Sequence, residues 1–183
     1  MTTDSNHAMP TAPNLLKRRF DVKAPNRVWA GDVTYLPTGD GWLYLAVLLD
    51  LFSRRIVGWA MSETNDEALT LAALDMALVQ RQPLPGLVHH SDRGSTYASS
   101  EYQDVLAHHG IVCSMSRKGN CWDNAVVESF FSTLDIECAR GRPFPSRHAA
   151  RREVVNYILT FYNPTRLHST LGYRSPMEFE RAV

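Results

Sequence analysis

The chain has 183 residues, of which 44% are apolar and 21% are charged, and its formal net charge is zero. This composition predicts a globular domain with a real core, and the zero charge argues against a general nucleic-acid binder. The longest apolar run, residues 42–49, is far shorter than the ~20 residues of a membrane helix, and the N-terminus lacks the apolar segment of a signal peptide. We therefore expect a cytoplasmic protein without a membrane partner.

The first half of the chain predicts an arm followed by three strands. Residues 1–25 are polar and lack periodicity, which indicates a flexible N-terminal arm. Residues 27–38 are rich in Val, Thr and Tyr and predict a strand. Residues 41–62 hold two apolar runs that reverse near residues 52–54, and such runs suit strands that are covered on both faces.

The second half alternates between helices and short strands. Apolar residues at helical spacing and capping residues predict helices at 65–82, 99–110, 123–139, 146–164 and near 175–183. Short apolar segments predict strands at 85–92 and 111–116, and a polar loop follows at 116–122. Candidate N-terminal caps of the first three helices are Asn65 or Asp66, Ser99 or Ser100, and Asp123 or Asn124.

This order of elements predicts an α/β fold for residues 26–183. Three adjacent strands, followed by alternating helices and strands, give a five-stranded mixed sheet with helices on both faces. The last helices form a C-terminal helical extension. A ribonuclease-H-like fold fits this order, although the order alone leaves other α/β folds open.

Three acidic residues lie in three different predicted elements. Asp32 interrupts the apolar first strand, Asp92 ends the fourth strand, and Glu128 lies early in the helix after the polar loop. Each has an ordinary structural interpretation: an edge-strand surface residue, an Asx turn before Gly94, and an exposed helical residue. Taken singly, none indicates chemistry.

Taken together, the three residues indicate a metal site. A strand, the end of its neighbour and an adjacent helix can bring three carboxylates to one point, where they repel one another unless cations lie between them. Mg²⁺ prefers oxygen ligands, and two such ions can activate an attacking oxygen and stabilise a leaving one in phosphoryl transfer.

Sequence blocks around these residues resemble a known family. The blocks "GDVTYL", "HHSDRGSTYAS" and "SMSRKGNCWDNAVVESFFSTL" surround Asp32, Asp92 and Glu128 and resemble the catalytic blocks of the insertion-sequence-three transposases, which share a superfamily with retroviral integrases. The 35 residues from 93 to 127 match the spacing of that family's Asp-Asp-Glu triad. The segment "FYNPTRLHSTLGYRSPMEF", residues 161–179, resembles its C-terminal block.

The resemblance implies a catalytic domain that cuts DNA at transposon ends and joins the freed 3′-hydroxyl to another phosphodiester. Asp32, Asp92 and Glu128 would be catalytic residues and metal ligands, with Mg²⁺ as the physiological ion, Mn²⁺ as a substitute, and two ions expected when DNA is bound. DNA would be the substrate partner, and family analogy implies a homo-oligomer on bacterial, nucleoid-associated DNA. No covalent protein–DNA intermediate is expected.

The loop before Glu128 holds candidate DNA contacts. Arg117, Lys118, Asn120 and Trp122 could hold phosphates and stack a base on the indole. The alternative is a mobile surface loop that Trp122 anchors to the core.

Four further residues carry two interpretations each. Arg166 and His168, in an arginine-rich C-terminal quarter, could contact DNA or the catalytic helix, or could anchor the tail. His90 could relay protons but is expected to be a buried, hydrogen-bonded histidine. Tyr97 would wall the active site by family analogy and is otherwise a packing residue.

The chain departs from the family pattern at two points. Family members usually carry Lys or Arg seven residues after the catalytic glutamate, two turns along the same helix face, whereas this chain has Asp135. An aspartate there would repel DNA. The family's helical recognition region also does not precede residues 1–25, so we expect recognition of transposon ends to need a separate chain or a longer one.

Three functions remain open from sequence. The first is a transposase catalytic domain, possessing the triad yet impaired by Asp135. The second is a ribonuclease-H-type nuclease, which the 35-residue spacing and the lack of a fourth acidic strand residue oppose. The third is a catalytically inactive remnant, or a DNA-binding or assembly protein, that keeps the fold.

Overall fold

A computed structural model describes residues 9–117 and 121–183; the side chains of Cys121 and Trp122 are outside this description. Five strands form one sheet: β1 (Val28–Thr38), β2 (Gly41–Asp50), β3 (Ile56–Ser62), β4 (Val88–Ser91) and β5 (Val112–Met115). Their spatial order is β3-β2-β1-β4-β5. The first three strands pair antiparallel, whereas β4 is parallel to both β1 and β5. The predicted five-stranded mixed sheet is therefore confirmed.

Six α-helices connect and cover the strands in the described part of the chain: α1 (Glu67–Arg81), α2 (Ser95–Ala98), α3 (Ser100–His108), α4 (Ala125–Leu134), α5 (Arg147–Asn156) and α6 (Pro176–Arg181). Of the candidate caps, Asp66 accepts a hydrogen bond from the amide of Leu69, and Ser99 accepts one from the amide of Tyr102. None of the described helices is long and apolar enough to cross a membrane.

Helices cover both faces of the sheet, as predicted. On one face, Trp29 and Val33 of β1 pack with α1, α2 and α3. On the other, Ala30 and Leu36 pack with α4 and α5. Because successive strand residues point to opposite faces, the two sets alternate along β1. Two apolar cores therefore enclose β1, which carries Asp32.

Two helices change their geometry near their ends. The predicted helix 123–139 begins with a 3₁₀ turn at Cys121–Asn124, continues as α4, and ends as a π-helix at Asp135–Ala139. The predicted helix 146–164 likewise passes from α5 into a π-helix at Tyr157–Tyr162. The short helix α2 was not predicted, since four residues are too few to show a periodic pattern.

The described part of the N-terminal arm contacts the body. Residues 9–25 contain no helix or strand, but Leu16 is buried in the core beside α4. The amide of Leu15 donates to Ser114 Oγ at 3.0 Å, and the amide of Met115 donates to the carbonyl of Pro13 at 3.4 Å. The flexibility of the arm stays a prediction, whereas these contacts give it a defined path along β5.

Candidate active site

Asp32 lies on the central strand, on the face that α4 covers. It shares this face with Ala30 and Leu36 because all three have even positions along β1. Its carboxylate is half-buried, and Oδ1 accepts a hydrogen bond from the amide of Val33 at 2.8 Å. The edge-strand interpretation is therefore wrong: β1 has neighbours on both sides.

Asp92 immediately follows β4, the parallel neighbour of β1. Ala30 is opposite His90 in the register of the two strands, and Asp32 and Asp92 each follow two residues after this pair. Asp92 Oδ1 also accepts a hydrogen bond from the amide of Gly94 at 2.8 Å, which is the expected Asx turn. A Cβ at position 94 would lie 2.9 Å from this oxygen, so glycine permits the turn.

Glu128 lies in the first turn of α4. Its neighbours Val127 and Phe130 are buried against the sheet, and Glu128 itself is half-buried. Asn124, at the start of α4, donates from Nδ2 to the carbonyl of Gly31 at 3.2 Å and makes no side-chain capping bond. The helix is thus tied to β1 directly beside Asp32. Asn124 occupies the predicted N-cap position, but its side chain binds Gly31 instead of the first turn of the helix.

The three carboxyl groups share one electrostatic neighbourhood. Burial chiefly, and the nearby charges of Asp92 and Glu128 in addition, raise the pKa of Asp32 from its ordinary 3.8 to about 8. Burial also raises the pKa of Glu128. Asp32, on β1, thus senses the charges of Asp92, just after β4, and of Glu128, on α4.

The donor set suits a hard divalent ion. Carboxylate oxygens are the ligands that Mg²⁺ prefers, and a bound cation would offset the burial and the repulsion that together favour the protonated form of Asp32. In the positions that they occupy, no three His, Cys, Asp or Glu side chains within residues 9–117 and 121–183 form a group that could hold a metal ion. The chemistry of the site thus fits Mg²⁺, while the ligand arrangement is not assembled.

Aromatic side chains lie on the opposite side of β1 from the carboxylates. His89 is buried, which lowers the pKa of its ring to about 3, and its Nε2 lies 3.0 Å from the Tyr102 hydroxyl. The Tyr97 hydroxyl is buried and has no hydrogen-bond partner among the described residues. A Cβ at Gly31 would come within 3.0 Å of His89 Nε2 and 3.4 Å of this hydroxyl, so the glycine lets both rings approach the strand.

His90 is held by structural partners on both ring nitrogens. Nδ1 lies 2.9 Å from Ser114 Oγ, and Nε2 lies 3.1 Å from the carbonyl oxygen of Asp123. Burial lowers the pKa of the ring, so His90 is neutral near pH 7. The interpretation of His90 as a buried, hydrogen-bonded histidine is confirmed, and His90 links β4 and β5 to the start of α4.

The candidate DNA contacts in the loop before α4 are only partly described. The Arg117 guanidinium binds Asp123 with two hydrogen bonds of 3.0 Å, so it is occupied within the protein. Lys118 and Asn120 lie outside the described residues. The backbone of Trp122 belongs to the 3₁₀ turn before α4.

Asp123 binds several distant residues, whereas the sequence indicated only that it could cap a helix. Its side chain is fully buried and accepts hydrogen bonds from Arg117, from Arg18 Nε at 3.0 Å and from Asn14 Nδ2 at 2.9 Å. The hydrogen bonds from Arg117 chiefly hold the pKa of this carboxyl well below its usual range. Asp123 therefore connects the N-terminal arm, the loop and the helix that carries Glu128.

Arg166 and His168 lie beside the same helix. Arg166 Nε contacts Glu137 Oε2 at 2.9 Å, in the π-helix that extends α4, and Glu137 also accepts a hydrogen bond from the Tyr157 hydroxyl. The His168 ring meets the Tyr162 ring edge-on at 5.2 Å. Of the predicted alternatives, the contact with the catalytic helix and the anchoring of the tail are both present; a DNA contact stays a prediction.

Comparison with known protein families matches most of the chain. A model described as "Integrase core domain" matches residues 22–121, and a second model with the same description matches residues 109–176. The transposase for insertion sequence element IS904 of Lactococcus lactis is 48% identical over 169 residues, which are 92% of this chain and 67% of that protein. Transposase InsF for insertion sequence IS3A of Escherichia coli is 48% identical over 174 residues, 95% of this chain and 60% of that protein. The chain thus spans about two thirds of the length of these relatives.

Solved structures share the fold at low sequence identity. The chain superposes on a protein of the simian T-cell lymphotropic virus intasome with a TM-score of 0.73 and 17% identity, over 98% of this chain and 61% of that one. It superposes on the HTLV-2 integrase catalytic core domain, solved in complex with magnesium, with a TM-score of 0.62 and 18% identity, over 86% of this chain and 97% of that one. The ribonuclease-H-like fold is therefore confirmed.

Proposed function

Because the chain belongs to the integrase core domain family and is a transposase catalytic domain of the insertion-sequence type, we propose that it performs metal-dependent DNA cleavage and strand transfer at insertion-sequence ends. The observation that carries the proposal is the electrostatic coupling of Asp32 to Asp92 and Glu128. In this proposal the three residues are the catalytic metal ligands. Bacterial DNA is the substrate, and several copies of the chain assemble on it.

Each residue has a defined part in the proposed reaction. Asp32 is held on β1, which has a strand on each side, and Asp92 lies directly after the neighbouring strand β4. Glu128 completes the set from α4, whose position the Asn124 bond to Gly31 sets. When bound, divalent ions would activate the attacking oxygen and stabilise the leaving one.

The proton on Asp32 must leave before the site can take up its ion. The raised pKa of Asp32 means that this carboxyl is largely protonated at neutral pH, and a carboxylate ligand must be deprotonated to bind. The proposal therefore includes the release of about one proton per protein when Mg²⁺ binds near pH 7.

The test uses end-labelled DNA duplexes with Mg²⁺ or Mn²⁺. We expect wild-type protein to nick and join the duplexes only when metal is present. Asp92→Asn should lower the rate to below one hundredth, because a lost ligand costs more than the roughly 10–100-fold of a residue that only supports a ligand. Asp104→Asn, at an exposed position of α3, is the matched control and should keep the wild-type rate.

Two experimental outcomes would contradict the proposal and support one of the two alternative functions. Cleavage of the RNA strand of an RNA–DNA hybrid, without cutting of duplex DNA, would identify a ribonuclease-H-type nuclease. Retained DNA binding without metal-dependent nicking would identify an inactive remnant or a DNA-binding protein. The exposed Asp135, on the helix that carries Glu128, is the feature that favours this last alternative.

A further inference from the structure

A cavity of about 490 Å³ lies beside α4, on a different face of the helix from Glu128. Ala125, Ser129 and Thr133, spaced four residues apart, form its wall on α4, and Glu128 does not line it. Arg54, from the turn between β2 and β3, forms a second wall. The C-terminal block forms the third wall with Arg166, His168, Ser169, Thr170 and Tyr173.

Two nitrogen atoms of this cavity are buried and lack a partner. Arg54 Nη1 and His168 Nε2 have no hydrogen-bond acceptor in the part of the chain that the structure describes. A buried donor without an acceptor costs about 1–3 kcal/mol, so such groups are normally satisfied by water, an ion or a ligand. Arg54 Nη1 can only donate, which calls for an acceptor beside it, and the neutral His168 ring can donate from Nε2 in one of its two tautomers.

The charge of the cavity favours an anion. Burial chiefly, and the positive charges of Arg166 and Arg54 in addition, lower the pKa of His168 to about 4, and all three residues line the cavity. Glu137 compensates Arg166 through their ion pair. Asp50 attracts Arg54 at longer range but accepts hydrogen bonds from the amides of Asn26 and Phe52 instead. The Arg54 charge is thus the least compensated one at the cavity.

We propose that this cavity binds one phosphate of the DNA backbone, with Arg54 Nη1 and the neutral His168 Nε2–H as donors. The hydroxyls of Ser129 and Ser169 line the same cavity and can donate as well. The proposal rests on the proposed function, since it names DNA as the source of the phosphate. It assigns Arg54, a residue of a hairpin turn, to the DNA interface.

The position of the cavity argues for a backbone phosphate rather than a free anion. A helix is about 10–12 Å across with its side chains, which is about three nucleotides of a strand at ~3.4 Å per step. A strand that reaches the carboxylates on one face of α4 can therefore pass the cavity on the next. The cavity is larger than one phosphate, and the Tyr173 ring at its lining is 72% exposed and can contact the adjoining sugar or base.

The test measures DNA affinity at several salt concentrations by fluorescence anisotropy, with Ca²⁺ in place of Mg²⁺. The proteins are the wild type, Arg54→Gln, His168→Gln and a control, Arg152→Gln, whose exposed side chain lies on α5 outside the cavity. We expect Arg54→Gln to weaken binding about three- to tenfold and to reduce the slope of log affinity against log salt by about 0.9, the value for one lost phosphate contact. His168→Gln should weaken binding without changing the slope, because the ring is neutral. Arg152→Gln should change neither.

The slope separates a lost contact from a damaged fold. Partial unfolding lowers the active fraction but leaves the slope of the remaining protein unchanged. A slope for Arg54→Gln equal to that of Arg152→Gln overturns the proposal. So does a His168 ring signal in NMR that responds to inorganic phosphate while the DNA slope of Arg54→Gln stays at the wild-type value, since the cavity would then hold free phosphate.

The inference and the proposed function fail in different ways. Metal-dependent nicking by the wild type with an unchanged Arg54→Gln slope would refute the cavity alone. A reduced Arg54→Gln slope without any nicking would support the phosphate site and refute the catalytic proposal. Absence of DNA binding by the wild type would refute both.

Discussion

The Asn124 side chain donates a hydrogen bond to the main-chain carbonyl of Gly31 at 3.2 Å, and so joins the start of α4 to the strand that carries Asp32. The two residues are 93 positions apart in the chain. Because Asn124 precedes Glu128 by four residues and Gly31 precedes Asp32 by one, we expect this bond to position Glu128 relative to Asp32.

Replacement of Asn124 by alanine should impair the site more than the fold. The lost bond leaves the Gly31 carbonyl without this donor, which we expect to cost about 1–3 kcal/mol in urea unfolding. A misplacement of Glu128 by 1 Å should slow metal-dependent nicking by up to about 100-fold. Asn156→Ala, at an exposed position of α5, is the control and should leave both quantities unchanged. Unaltered nicking in Asn124→Ala would show that the bond does not position Glu128.

The raised pKa of Asp32 predicts that the free energy of unfolding of the metal-free protein decreases as the pH rises. The folded protein holds this proton up to about pH 8, whereas an unfolded chain releases it near 3.8, so the contribution of Asp32 to stability falls as the pH rises between these values. In EDTA at pH 8, Asp32→Asn should therefore raise Tm by several degrees, at about 2–4 °C per kcal/mol for a chain of this size. At pH 4 the variant and the wild type should melt together.

Magnesium should reduce the difference in Tm between Asp32→Asn and the wild type at pH 8. Added Mg²⁺ should raise the Tm of the wild type at pH 8 and have little effect on Asp32→Asn, because the variant lacks one carboxylate ligand. Equal Mg²⁺-dependent shifts in the two proteins would place the ion elsewhere. Asp104→Asn should behave as the wild type at both pH values.

Asp123 should hold the N-terminal arm against the body. We expect Asp123→Asn to weaken the bonds from Arg18 and Arg117, because charge-assisted hydrogen bonds are stronger than neutral ones. The amides of Leu15 and Arg117 should then exchange with deuterium about tenfold faster. Asp21→Asn, in the exposed part of the arm, should not change these rates. Equal rates in Asp123→Asn and wild type would mean that other contacts hold the arm.

The N-terminal arm should detach only at a pH well below the ordinary pKa of an aspartate. The pKa of Asp123 is depressed by its arginine partners, so its stabilising contribution is complete above the ordinary aspartate pKa and disappears as the pH falls through the depressed value. Exchange at the Leu15 amide, corrected for intrinsic rates, should therefore remain slow at pH 4 in the wild type. A loss of protection by pH 4 would contradict the assignment.

Asp135 should weaken DNA binding by this chain. It is exposed at the end of α4, seven residues after Glu128, where a cation would approach DNA phosphate. Asp135→Lys should tighten DNA binding and steepen the salt dependence by about 0.9 in the logarithmic slope. Asp104→Lys makes the same charge change on α3 and should give a smaller effect. Unchanged binding and strand transfer in Asp135→Lys would rule out this role.

Glu180 should anchor the C-terminal helix to the sheet. Its carboxylate binds both Arg81 nitrogens at 2.9 Å, Arg55 Nη1 at 2.8 Å and the Ser53 hydroxyl at 2.8 Å, and its side chain is 11% exposed. Burial raises the pKa of Glu180, but these donors outweigh it and hold the value below the usual one. Glu180→Gln should lower the unfolding free energy by about 2–4 kcal/mol, measured in urea, because it removes the counter-charge of Arg55 and leaves Arg81 with Asp50 at 3.5 Å. Glu153→Gln, at an exposed site, should cost almost nothing.

Local patterns in the sequence were sufficient for the α/β class and for the order of its elements, whereas the candidate triad also needed the resemblance to the transposase blocks. The apolar runs of β2 and β3 show strands buried on both faces, and the helical spacing of α1 shows one apolar stripe. These features depend on periodicity, which the backbone geometry sets residue by residue. Asp32 could be singled out for the same reason, since a carboxylate in a run of buried strand residues breaks the pattern.

The sequence by itself thus determined the α/β class, the strand order along the chain and the acidic residues worth testing. Only the tertiary structure decided that the Asn124 side chain binds Gly31 and not the first turn of its helix, that Asp123 contacts the arm, and that Arg54 and His168 share a cavity. The physical reason is that a periodic pattern reports burial, whereas the partner of a polar group depends on which distant segments pack together. Arg54 and His168 lie on a hairpin turn and a C-terminal loop, and only the packing of both against α4 makes them neighbours.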